Sequence, residues 1–249
     1  MSANYRSQRV RNLYQPESKE PYKLSRSAIE LFVQCPRCFY LDRRLGRGRP
    51  PGFPFNLNSA VDALLKKEFD IYRERKEFHP VVEQNGIDAI PFQHPDLEKW
   101  RSNTSGVRYI HPQTNFLVYG AVDDIWINKS GELIVVDYKA TSKIDEVALD
   151  QEWQDGYRRQ AEVYQWLLRK NGFSVSSTAY FYYCNGERGR DRFDGRLEFR
   201  VSILPYKGSD AWIEPVLLKV KQCLDADAVP KNGDDCDYCQ YVETVKAAV

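Results

Sequence analysis

Residues 116–141, FLVYGAVDDIWINKSGELIVVDYKAT, set ionisable side chains into segments otherwise suited to burial. Residues 116–127 and 132–140 are rich in β-branched and aromatic side chains, while Asn128, Lys129, Ser130 and Gly131 supply turn chemistry, so the stretch predicts a β-hairpin. With the turn near Lys129 and Ser130, Asp123 falls opposite Val136 or Asp137. Alternation along a strand sends Asp137 and Lys139 to one face and Tyr138 to the other. An unpaired charge among Ile, Val, Leu and Trp costs on the order of several kcal/mol. Two arrangements remove that cost. Either Lys139 pairs with one of the acids, or both carboxylates hold a divalent cation with Lys139 beside it. Gly120-Ala121-Val122-Asp123, arriving at hairpin distance, favours the cation.

The chain has 249 residues, 42% of them hydrophobic, enough for one substantial core, and a single elaborated domain is expected. Lys and Arg number 36 against 35 Asp and Glu, so there is no global basic field and any nucleic-acid site must be local. The first twenty residues lack a signal-like apolar run, and no stretch reaches the roughly 18 apolar residues of a membrane span, so a cytoplasmic protein with no membrane association is expected. In a reducing compartment the six cysteines are read as thiols and metal ligands rather than disulfides. No phosphate-binding Gly-x-x-x-x-Gly-Lys-Ser/Thr loop is present, which leaves any motor function to another chain.

Residues 1–23 are polar and contain Pro16 and Pro21, the pattern of a loose arm. From Leu24 a helix is expected, capped by Ser25 or Ser27, with Ile29, Phe32 and Val33 on one side and a break near Pro36. Arg37, Arg43, Arg44, Arg47 and Arg49 follow, opposed by Asp42. They form either a phosphate-contacting patch or a solvated face. Residues 46–55, GRGRPPGFPF, read as a linker. The next helix carries Val61, Leu64, Leu65 and Phe69 on its apolar stripe, with Asp62 beside it. His79, His94 and His111 have no ligand-like spacing and are expected in loops or as satisfied core residues. A helix from about Glu146 to Lys170 aligns Trp153, Tyr157, Gln160, Tyr164, Leu167 and Leu168. Residues 177–184 form a central strand, residues 196–204 an outer one, and residues 210–223 a helix. Cys184 and Cys223 are read as buried free thiols.

Two Cys-x-x-Cys pairs remain, Cys35 with Cys38 and Cys236 with Cys239, the latter in a Gly/Asp-rich loop. Four thiolates suit zinc or an iron–sulfur cluster, and one shared site would tie the two ends of the chain together.

Gly120 with Asp123, then Asp137-Tyr138-Lys139, then Gln160 with Tyr164, together with Cys35-Pro36-Arg37-Cys38-Phe39-Tyr40, resemble the PD-(D/E)XK nuclease superfamily. Within it they are similar to the RecB-like branch that includes CRISPR-associated adaptation nucleases. The resemblance spans residues 24–241. It implies an α/β, restriction-endonuclease-like core, a central mixed β-sheet flanked by helices, over residues 24–249. It also implies that Asp123 and Asp137, with the Tyr138 carbonyl, hold Mg2+ or Mn2+, that Lys139 positions or deprotonates the attacking water, and that Gln160 and Tyr164 align the substrate. Asp62 stands where relatives often carry a metal-ligating His, and an acid there suits a hard cation. Cluster-bearing relatives use one N-terminal and three C-terminal cysteines. Here Val245 replaces the last and Cys38 is extra, so the resemblance leans to iron–sulfur while the two-plus-two arrangement suits zinc equally.

The expectation is a metal-dependent deoxyribonuclease, exonuclease-like on single-stranded or frayed DNA in repair or defence, partnered by DNA and by a helicase or other such protein in a separate chain. Two alternatives accompany it. One is a catalytically weak or inactive nuclease-fold subunit that binds nucleic acid within a larger assembly, and the other is a redox or metal-sensing module built on the cysteines.

Overall fold

The strand-like run 116–127 divides in two in the structure, a computed structural model that describes residues 8–52 and 56–248. In chain order the elements are β1 (Tyr22–Ser25), α1 (Arg26–Gln34), α2 (Pro36–Arg43), α3 (Asn56–Arg75), α4 (Pro80–Gln84), β2 (Ala89–Pro91), α5 (Leu97–Arg101), β3 (Val107–His111), β4 (Phe116–Gly120), β5 (Asp124–Asn128) and β6 (Leu133–Thr141). A 3-10 turn (Glu152–Gln154), α6 (Asp155–Lys170), β7 (Thr178–Gly186), β8 (Phe199–Lys207), α7 (Ile213–Asp225) and α8 (Asp237–Ala248) complete them. The expected restriction-endonuclease-like mixture of sheet and helix is present.

The described residues gather in two compact units. One takes those of Met1–Phe53 with Tyr109–Tyr119 and Ala211–Val249, and the other those of Pro54–Arg108 with Gly120–Asp210. In the second unit the sheet order is β2-β5-β6-β7-β8. β6 and β7 are parallel, and the remaining pairs are antiparallel. A parallel pair needs a long crossover, and α6 lies within the segment that makes it. The hairpin register sets Asp124 opposite Val136. Alternation holds as expected, since the Tyr138 ring packs against Phe69 of α3 at 5.7 Å while Lys139 meets Asp137. Phe69 is fully buried and stacks on Trp126 at 5.5 Å and on His79 at 4.3 Å. Truncating such an aromatic to alanine costs roughly 3–5 kcal/mol, so this contact fixes α3 on the sheet.

The break between β4 and β5 was not legible from β-propensity. Gly106, at φ +60°, lies so close to Gly120 that a Cβ would stand 2.5 Å from the Gly120 carbonyl oxygen. Two residues on, the Val122 N–H donates to the Trp100 carbonyl at 3.1 Å, so tertiary bonds replace the ladder. The helix expected from Glu146 begins instead at Asp155. Gln151 and Gln154 form a reciprocal capping box around the 3-10 turn, which stops helix from extending upstream. Leu64 is 63% exposed and leaves the expected apolar stripe, whereas Leu65 and Phe69 stay in it.

In the first unit the sheet order is β1-β4-β3, with β1 and β4 parallel. Ser25 caps α1, its hydroxyl accepting from the Ala28 N–H at 3.2 Å. Within the stretch expected as an arm, Tyr14 is buried, packs edge-on to Tyr22 at 5.2 Å, and donates its hydroxyl proton to Asp225 at 2.6 Å. Of the expected linker, residues 53–55 lie outside the described residues. Cys239 belongs to helix α8 rather than a loop, and Cys223 is half-buried rather than buried. The three histidines are satisfied as expected. His79 meets Glu68 at 2.8 Å, His94 stacks on Trp100 at 4.1 Å, and His111 meets Thr114 at 2.8 Å and Glu214 at 2.5 Å. Among the described residues no helix is long and apolar enough to cross a membrane.

Candidate functional site

Asp123 lies in the link between β4 and β5, one residue before the ladder resumes. Its Oδ2 accepts the Tyr138 N–H at 3.0 Å, which holds the carboxylate against β6 between Asp137 and Lys139. Asp137 is almost fully buried, and the Lys139 ammonium contacts its Oδ2. Apart from that ammonium, no donor meets either Asp137 oxygen. A buried carboxylate met by a single ammonium is incompletely satisfied and retains lone pairs for a further cation. The residues therefore fit a hard divalent ion, with oxygen ligands from Asp137 and Asp123.

Burial pushes the Asp123 carboxyl up to about 7, and the Asp137 charge adds to this, although 23% of its side chain meets the cleft. Burial works against the Lys139 ammonium, but Asp137 and Asp123 outweigh it and hold its pKa above the ordinary lysine value. A divalent ion would therefore compete with the proton that burial favours on Asp123.

Asp123, Lys139, Asp62 and Gln160 line one cleft of about 340 Å³, with Tyr138 and Tyr157. Asp62 enters from α3, whose Asn58 side chain donates to the Ala140 carbonyl of β6 at 3.1 Å. Lys66 reaches Asp62 at 2.8 Å and Asp123 at 3.9 Å, so these two carboxylates already share a cation. Gln160 donates to the Tyr164 hydroxyl at 3.2 Å. Only Gln160 faces the cleft; Tyr164 is buried behind it. Lys139 lies over the Tyr157 ring at 4.5 Å.

The charges behind this site are not legible in the local sequence pattern. Asp124 is fully buried, contacts Arg73, and accepts from Arg101 at 3.0 Å and from the Tyr138 hydroxyl at 2.7 Å. Asp70 holds both arginines from the other side. Tyr138 thus joins two carboxylates, giving its backbone N–H to Asp123 and its hydroxyl to Asp124. The available signal was the Asp123-Asp124 doublet, since neighbours entering a strand point to opposite faces and the second acid needs its own partners.

The first unit holds a different centre. Cys35 caps the start of α2, Cys38 lies one turn in, and Cys236 and Cys239 sit at the start of α8. All four sulfurs lie within 4.8 Å of one another. Three pairs stand at 3.6–3.7 Å: Cys35 with Cys239, and Cys38 with Cys236 and with Cys239. Among the described residues this is the one group of three or more such ligands placed to share an ion, so the carboxylates are less tightly gathered.

The Cys38 and Gly233 N–H groups donate to the Cys35 sulfur at 3.4 and 3.3 Å, and Arg49 donates to Cys236 at 3.3 Å. Burial alone would raise the Cys35 thiol, but these backbone donors and its neighbouring cysteines bring it down to about 6. Burial pushes Cys38 and Cys239 up, so full deprotonation calls for a cation. The clustered arginines are engaged rather than free. Arg37 meets Glu243, Arg43 meets Asp42, Arg44 meets the Tyr14 carbonyl, and Arg49 meets Gln34 as well as Cys236.

The model of the PD-(D/E)XK nuclease superfamily matches residues 23–244. A search of curated proteins finds no match. Among solved structures, the crystal structure of SSO0001 aligns over 93% of this chain and 89% of that chain, with a TM-score of 0.38 and 16% identity, a likeness too loose to add to the family match.

Proposed function

Because the chain belongs to the PD-(D/E)XK nuclease superfamily, we propose that it is a metal-dependent deoxyribonuclease, exonuclease-like on single-stranded or frayed DNA, with Asp123, Asp137 and Lys139 at its centre. The observation that carries this reading is Asp137, buried beside a second acid with the Lys139 ammonium on one oxygen and no hydrogen-bond donor on the other. Asp123 and Asp137, joined by Asp62, are the residues that would hold Mg2+ or Mn2+. The bound ion supplies Lewis acidity toward water and phosphate.

The chain's own groups do the rest. Lys139, placed between Asp137 and the Tyr157 ring, offers an ammonium to the scissile phosphate and orients the attacking water. Gln160, braced by Tyr164, presents its amide to the strand lying in the cleft, which makes Tyr164 a positioning residue. Calorimetric titration of the metal-free protein with Mn2+ tests the assignment. Binding that disappears in both Asp123→Ala and Asp137→Ala is expected, and unchanged binding in either variant would refute it.

One observation favours a catalytically weak binding subunit as the second reading. Lys66 already neutralises Asp62 and Asp123, so an ion must displace it. A folded wild type that binds DNA but takes up no divalent ion would favour that reading.

For the four cysteines we propose a structural metal that joins the start of α2 to the start of α8. A tetrahedral zinc with bonds of about 2.3 Å sets its sulfurs about 3.8 Å apart. The observed 3.6–3.7 Å contacts support a single ion ahead of an iron–sulfur cluster, which needs room for several irons and bridging sulfides.

A further inference from the structure

Trp153 and its neighbour Gln154 invert the usual order of burial. The indole is 57% exposed, whereas the Gln154 amide is fully buried. Tryptophan is highly buried on average and glutamine mostly exposed, so an arrangement that holds the amide in and the indole out calls for a reason. Looseness is not the reason. Gln154 donates to the Ala148 carbonyl at 2.6 Å and approaches the Tyr183 hydroxyl at 3.4 Å, and its own carbonyl accepts from the Gln151 N–H at 3.0 Å. The preceding loop is pinned as well. Asn185, buried near the end of β7, accepts the Lys143 N–H at 2.7 Å and donates to the Lys143 carbonyl at 3.0 Å. The indole is therefore presented to solvent from an anchored turn.

Its surroundings select a ligand class. One helical turn later stands Tyr157, which lines the cleft, with its ring edge-on to Trp153 at 5.7 Å. Each ring carries an ammonium group, Lys139 over Tyr157 at 4.5 Å and Lys143 over Trp153 at 5.0 Å. Two aromatic surfaces interleaved with two cations, running outward from the candidate catalytic acids, match a polyanion with flat apolar units along it. That is the chemistry of a single strand of nucleic acid. A base within a duplex has its faces covered by its neighbours and cannot use such a platform. We infer that Trp153 and Tyr157, with Lys143 and Lys139, form a stacking subsite for an unpaired base next to the scissile position. This rests on the nuclease reading and narrows it to substrates that are single-stranded at that point.

The test is binding of a labelled single-stranded oligonucleotide to the full chain in Ca2+, followed by fluorescence anisotropy, for wild type, Trp153→Ala and Trp153→Phe. A second oligonucleotide carries abasic nucleotides throughout. Stacking contributes about 1–3 kcal/mol per base, so Trp153→Ala is expected to weaken binding about 5- to 150-fold, and Trp153→Phe to restore most of it. On the abasic strand the two variants and wild type should bind alike, a result that a merely structural role for Trp153 would not give. Equal affinity of wild type and Trp153→Ala for the normal strand overturns the subsite while leaving the nuclease reading intact. An equal penalty on both strands also overturns it. A wild type that neither binds nor cleaves single-stranded DNA removes the nuclease reading and the subsite together.

Discussion

Replacing Asp124 with alanine should destabilise the second unit more than most single substitutions. The carboxylate is fully buried and accepts from Arg73, Arg101, the Tyr138 hydroxyl and the Ile125 N–H, the last at 2.8 Å. Removing one partner from a buried ionic group costs roughly 3–5 kcal/mol, because the opposite charges stay behind in low dielectric. Here two guanidinium groups stay behind, each with only 6% of its side chain exposed. Both retain Asp70, and Arg73 also keeps the Phe92 carbonyl at 2.8 Å, which argues for the lower end, about 3 kcal/mol. In a chain of this size 1 kcal/mol moves Tm by roughly 2–4 °C, so a fall of about 6–12 °C is expected. Differential scanning calorimetry on wild type, Asp124→Ala and Asp124→Asn measures it, with the amide variant in between because it keeps the shape and loses the charge. A change under about 2 °C in Asp124→Ala would show that the arginines need no anion, and the account of how Tyr138 is held between Asp123 and Asp124 would fail.

Three further outcomes follow from the same geometry. With the Asp123 carboxyl raised to about 7 from 3.8, the folded chain keeps a proton that the unfolded chain has released between those pH values, so stability in EDTA should fall as pH rises through that window, by up to about 4 kcal/mol. Urea unfolding at pH 5 and pH 7.5 should show that slope in wild type and lose it in Asp123→Asn; equal slopes would place the proton elsewhere. Removing the competing ammonium in Lys66→Met should tighten Mn2+ binding about 2- to 5-fold by calorimetry, and weaker binding would show that Lys66 supports the ion rather than displacing it. A Cβ on Gly233 would stand 2.3 Å from the Gln34 carbonyl oxygen, so Gly233→Ala should cost about 1–3 kcal/mol and lower the metal content of the cysteine centre, read by elemental analysis. Full metal occupancy with unchanged Tm would mean the backbone there shifts freely.

The parts of this molecule legible in the sequence were those written in local periodicity. The alternation that separates Asp137 and Lys139 from Tyr138 follows from strand geometry alone, and the Ser25 cap from its side-chain chemistry. The gathering of the four cysteines was readable because thiol pairs at that spacing have few other uses. What is not legible there depends on contacts between distant segments. The division of residues 116–127 into two strands is decided by Gly106 and Trp100, and the partners of Asp124 come from α3 and α5. The late start of α6 has a local cause, the Gln151–Gln154 box, but glutamine is a weak capping signal beside Ser or Asp. Trp153 has the spacing of a helical stripe, yet it precedes the helix and faces solvent.

The central claim is tested most directly by incubating end-labelled single-stranded DNA and closed circular single-stranded DNA with the chain in Mn2+ and in Mg2+, beside Asp137→Ala of verified fold. Wild type is expected to release the label and the variant to retain it, with the circle surviving if cutting begins at ends. Intact DNA after incubation with folded, metal-replete wild type, or equal cleavage by Asp137→Ala, would contradict it.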